Sequence, residues 1–67
     1  MATIVANGKE TSTDIPCTVE AFLKQLDLPP RSVVVEYNGT ALSPSEFGQQ
    51  PLKDGDRLEI VRIVAGG

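Results

Sequence analysis

Apolar residues recur along this chain with two different periods, and the switches between them mark its elements. In "TIVANGKETST" an apolar run precedes Asn7-Gly8 and a polar run follows it. Asn and Gly tolerate positive φ, so the pair predicts a tight type I′ connection between two antiparallel strands. Strand alternation then puts Ile4 and Ala6 on one face, with Thr3 and Val5 on the other. The period changes in "TVEAFLKQLDLPP", where Val19, Phe22, Leu23 and Leu26 stand at i, i+3, i+4 and i+7. That spacing predicts a helix with one apolar stripe. Thr18 is placed to cap it, Glu20 sits in the first turn where the helix dipole favours an anion, and Pro29-Pro30 forbid its continuation.

Period two returns in "SVVVEYNGTAL", a stretch rich in β-branched residues that predicts a third strand. Val33, Val35 and Tyr37 share one side of it, Val34 and Glu36 the other, and Asn38-Gly39 supplies the next turn. In "SPSEF" Ser43 can cap, Pro44 suits a first helical position and Glu46 completes a capping box. One helical turn anchored by Phe47 is expected there. "KDGD" turns the chain into a last strand, with Leu58 and Ile60 pointing one way and Glu59, Val61 and Ile63 the other. Hairpin, helix, strand, short turn and strand predict an α+β roll of the β-grasp, or ubiquitin-like, kind: a small mixed sheet with one helix crossing one face. The helix is long enough to serve as a crossover. The last strand is therefore expected beside the first, in parallel, at the centre of the sheet.

Length and charge narrow what such a fold can do. Sixty-seven residues make one domain, close to the size below which a single core needs staples, and leave little room for an enclosed active site. Six basic residues against nine acidic ones give a net charge of −3, so no basic excess exists to neutralise nucleic acid or an anionic membrane. The start of the chain lacks a signal-peptide pattern, and no run of apolar residues is long enough to span a bilayer; a cytoplasmic location is expected.

The side chains offer little chemistry of their own. Histidine is absent, and the carboxylates fall mostly in turns or on predicted outer faces, where water keeps them ordinary. Cys17 is the single cysteine, so an internal disulfide is impossible, and it is read as structural filler beside a helix start. "DGD" at 54–56 lacks the further oxygen ligands and distal glutamate of a calcium loop. What remains is the Gly66-Gly67 ending that follows an apolar strand. A terminal carboxylate can be activated by ATP as an acyl-adenylate, and two residues without side chains let it thread a narrow channel in another enzyme. From Val64 to Gly67 an extended tail reaches about 13 Å, so Val64, Ala65 and Gly66 are the candidate threading residues and Gly67 the candidate reacting one.

In this order, "IVANG", "TVEAFLKQL", "VVVEYNGTAL" and "KDGDRLEIVRIVAGG" resemble the ubiquitin-like sulfur carriers of bacteria over essentially the whole chain, and most closely the ThiS type of thiamine biosynthesis. The resemblance implies a carrier and not an enzyme. A ThiF-type adenylating enzyme would use ATP to adenylate the Gly67 carboxylate; a persulfide from a donor such as a cysteine desulfurase would displace AMP and leave a thiocarboxylate. Thiazole synthase (ThiG) would receive the sulfur. No cofactor bound by the carrier itself is implied. One departure is the segment "LSPSEF", where many relatives carry a Pro-Arg pair. The "IVAGG" approach differs from the proline-rich approach of the molybdopterin-synthase carriers. A molybdopterin carrier and a ubiquitin-like protein modifier remain the alternatives.

The strand faces add a docking expectation. If Leu58 and Ile60 face the helix, Val61 and Ile63 lie on the open side of the sheet, near Val5 if the first and last strands are neighbours. That makes an apolar patch beside the tail, as expected of a partner surface.

Overall fold

The computed structural model describes residues 1–63. Its elements are β1 (Ala2–Ala6), β2 (Lys9–Thr13), α1 (Val19–Gln25), a 3₁₀ turn (Pro30–Ser32), β3 (Val33–Tyr37), β4 (Thr40–Leu42), a second 3₁₀ segment (Pro44–Gln49) and β5 (Arg57–Arg62). The five strands form one sheet in the order β2-β1-β5-β3-β4. β5 runs parallel to β1 and antiparallel to β3, so the last strand is inserted at the centre as its apolar row predicts.

Both Asn-Gly pairs close two-residue hairpins. Ala6 pairs with Lys9 and Tyr37 with Thr40, and all four turn residues have positive φ, as a type I′ turn requires. No strand is predicted after the second turn. Thr40–Leu42 nevertheless pairs with β3 at the sheet edge. Three residues carry too short a period to be read from the sequence.

α1 begins as expected, with the Ala21 amide donating to Thr18 Oγ1 at 3.1 Å and Glu20 in the first turn. It ends earlier than the apolar stripe implied. Leu26 is the C-cap and 37% exposed, and the reversal occurs at Asp27, with φ of 63°, before either proline. The amide of Asp27 donates to the Lys24 carbonyl and that of Leu28 to the Leu23 carbonyl, the two bonds of a Schellman cap. Leu28 therefore replaces Leu26 as the residue that folds back on the core.

The core lies between α1 and the sheet. Ile4, Val19, Phe22, Leu23, Val35, Phe47 and Leu58 are fully buried in it. Phe47 reaches it from the Pro44–Gln49 segment, whose start is tied by the amide and hydroxyl of Ser43 donating to one Glu46 oxygen at 2.8 and 2.9 Å. Cys17 is buried in the same cluster, beside Thr13 and Gln25. No helix is long and apolar enough to cross a membrane among the described residues.

Candidate functional site

The candidate site is the end of β5, and its geometry begins at the turn that feeds the strand. The Thr3 amide donates to Asp54 Oδ1 at 2.7 Å and the Gly55 amide to the Thr3 carbonyl at 2.8 Å, fastening the turn against β1. Asp56 is 5% exposed, an exception to the expectation that most carboxylates stay in water. Its Oδ2 accepts from the Lys53 amide at 2.7 Å and the Tyr37 hydroxyl at 2.8 Å, and Oδ1 accepts from Asn38 Nδ2 at 3.3 Å. Burial pushes the carboxyl of Asp56 up, but these donors and the Lys53 charge outweigh it and hold the group below the ordinary carboxylate value. Burial likewise raises the Tyr37 hydroxyl, and donation to the Asp56 anion raises it further.

The turn asparagines extend this fastening into the strand. Asn7 Nδ2 donates to the Ile60 carbonyl at 2.9 Å, and the Ile60 amide donates to Asn7 Oδ1 at 2.7 Å. Asn7 thus continues the β1–β5 pairing with its side chain after the β1 backbone has turned away. On the other side of β5, the Arg57 amide donates to Asn38 Oδ1 at 2.8 Å. Turn propensity accounts for the φ of both residues but carries no sign of this second role, which depends on the strand order.

Past Ile60 the situation changes. β1 pairs with β5 only at Val5↔Arg57 and Ala6↔Leu58, whereas β3 pairs with it through to Val33↔Arg62, followed by the Ile63 amide donating to the Ser32 carbonyl at 2.7 Å. On the open side Val61 is 62% exposed and Ile63 50%. Val5 lies opposite Arg57, four residues back along β5 from Val61, or about 13 Å. The neighbour of Val61 is Val34, its register partner on β3 and 44% exposed. Val34, Val61 and Ile63 therefore form the apolar cluster, with Val5 set apart from it. Alternation had placed Val34 on this side; only the β3–β5 register sets it beside Val61. The candidate threading and reacting residues Val64, Ala65, Gly66 and Gly67 lie outside the described residues.

Among the described residues, no group of three or more His, Cys, Asp or Glu side chains is placed to hold a metal ion. Cys17 is buried, with its thiol directed to the Thr18 carbonyl at 3.4 Å, which suits packing better than reactivity.

A model of the ThiS family matches residues 2–67. The chain belongs to the ThiS family. Its fold agrees with a solved relative: the crystal structure of the thiamine biosynthesis protein (ThiS) from Geobacter metallireducens aligns with a TM-score of 0.80 at 31% identity, over 97% of this chain and 99% of that one. A thiazole synthase of Paramagnetospirillum magneticum is 41% identical over 64 residues, covering 96% of this ThiS-family chain and 20% of that protein. An uncharacterized protein ycf40 of Pyropia yezoensis is 34% identical over 64 residues, covering 96% of this chain and 90% of that one. The chain spans about a fifth of the length of the thiazole synthases it matches.

Proposed function

We propose that this protein is a sulfur carrier of thiamine biosynthesis whose Gly67 carboxylate becomes a thiocarboxylate. Membership of the ThiS family over residues 2–67 carries the reading. In the activating step a carboxylate oxygen attacks the α-phosphate of ATP, releasing pyrophosphate and forming an acyl-adenylate. A persulfide sulfur then attacks the carbonyl carbon and expels AMP. Reductive cleavage of the resulting acyl disulfide by a thiol leaves the thiocarboxylate and a disulfide. A ThiF-type enzyme supplies the activation, a cysteine-derived persulfide the sulfur, and thiazole synthase is the acceptor. The similarity to proteins named thiazole synthase supports that acceptor.

The body of the chain serves this chemistry by holding and presenting β5. Its base is fastened on both sides, and its last residues lead out beside Val34, Val61 and Ile63. An exposed apolar cluster gives each partner enzyme a surface to hold while the residues after Ile63 enter its active site. On this reading the carrier works in the cytoplasm, where ATP and a persulfide donor are at hand.

The test is intact mass with fragmentation after incubation with the adenylating enzyme, ATP and a persulfide donor. Sulfur is expected on Gly67; fragmentation is needed because oxidation of Met1 or Cys17 changes the mass almost equally. An unmodified terminus under those conditions overturns the reading. Deleting Gly67 is expected to abolish sulfur loading and leave the unfolding midpoint unchanged.

A further inference from the structure

α1 covers only part of the sheet. Seven helical residues span about 10 Å, whereas five strands span about 19 Å. Beyond the helix end, the same side of the sheet carries Lys9 and Thr11 on β2, Ala6 on β1, and Ile60 and Arg62 on β5. The early Schellman reversal brings Leu26 and Leu28 over these residues without closing on them. The result is a half-open groove of about 330 Å³, with Ala6, Leu26, Leu28 and Ile60 as its apolar lining and Lys9, Thr11 and Arg62 as its polar edge. It lies on the opposite side of β5 from Val61 and Ile63.

We propose that this groove docks a segment of a partner protein that presents an apolar side chain flanked by carboxylates. Two observations select that occupant. The lining would take an apolar side chain out of water, and its volume falls at the lower end of the range in which pockets hold ligands. In a chain with net charge −3, two of the six cationic side chains line the groove and, among the described residues, no carboxylate does, a lining complementary to an anionic visitor. Two cations are too few to hold a nucleic acid backbone. Because Arg62 is the last residue of β5, a segment seated here stands next to the end of that strand. That gives the carrier a second handle, electrostatically distinct from the apolar cluster on the other face. Naming the partner as an enzyme that acts on the tail rests on the proposed carrier function; the binding itself does not.

The experiment is an amide-shift titration of the ¹⁵N-labelled full chain with two blocked peptides, Glu-Leu-Phe-Glu and Lys-Leu-Phe-Lys. The acidic peptide is expected to shift the amides of Asn7, Leu28, Ile60 and Arg62. Binding is expected to be about fivefold weaker for the basic peptide and for the Lys9→Gln/Arg62→Gln variant, the loss expected from two exposed ion pairs. Lys9 and Arg62 are both exposed, so the double variant retains the fold, checked by its unchanged amide spectrum away from the groove. No shift up to millimolar peptide, equal response to both peptides, or shifts confined to Val34, Val61 and Ile63 overturns the proposal. The titration uses the carrier alone, so its outcome is independent of whether Gly67 accepts sulfur.

Discussion

The two ends of β5 are built differently although they belong to one strand. From Arg57 to Ile60 the strand has β1 or the Asn7 side chain on one side and β3 on the other, with Leu58 fully buried beneath it. From Val61 to Ile63 it is paired to β3 and Ser32 alone, and its outward residues are half or more exposed. The base is organised for stability and the end for contact. The proposed carrier function calls for this division, because a segment that is to enter partner enzymes must be presented from a body that does not yield.

Substitutions along the strand should separate the two roles, and the largest effect is expected at the base. Leu58→Ala removes a fully buried side chain and should cost about 3 kcal/mol in chemical denaturation. Asp56→Asn comes next, at about 2 kcal/mol, since it weakens charge-assisted bonds from Lys53, Tyr37 and Asn38. Its pH signature has a definite sign. The folded-state value of Asp56 is depressed, so its contribution is complete above the unfolded carboxylate value of about 4 and is lost as pH falls through the folded one. The wild-type chain should lose stability on acidification below about pH 4, and Asp56→Asn should flatten that decline. An equally steep acid limb in the variant would place the titrating group elsewhere.

Smaller effects sharpen the boundary at Ile60. Asn7→Gly keeps a residue suited to positive φ but removes both side-chain bonds to Ile60, and should cost about 1.5 kcal/mol. Faster amide exchange at Ile60 than in wild type checks that the loss is local. Asp27→Gly should stabilise by about 0.5 to 1 kcal/mol, because glycine adopts the left-handed Schellman position without a Cβ penalty. Val61→Lys should change stability by less than about 0.5 kcal/mol while slowing sulfur loading or transfer. A large stability loss in Val61→Lys, or unchanged kinetics of both steps, would erase the distinction between the two ends.

Much of this architecture is legible in the residues taken alone. Two Asn-Gly pairs specify their turns because few residue types accept positive φ at both positions, and Thr18 and Glu46 announce helical starts because their side-chain oxygens accept from backbone amides three residues away. Inward and outward rows follow from alternation. Less legible are the early end of α1 and the edge strand β4. The apolar stripe runs through Leu26, yet the tertiary gain of seating Leu28 on the core favours reversal at Asp27.

The sequence by itself determined β1, β2, β3 and β5, the start of α1, the faces of those strands and a β-grasp order, because local sterics and hydrophobic period act over a few neighbouring residues. Tertiary structure decided which residues share a site. Val34 meets Val61 only through the β3–β5 register, Asn7 reaches Ile60 across more than fifty positions of sequence, and Asp56 becomes a buried anion only when Tyr37 and Asn38 arrive from another hairpin. The groove edged by Lys9 and Arg62 exists for the same reason: a short helix leaves part of a five-stranded face uncovered, and only the folded sheet sets β2 and β5 on either side of the gap. Such contacts depend on where distant segments dock, and no local pattern encodes that separation.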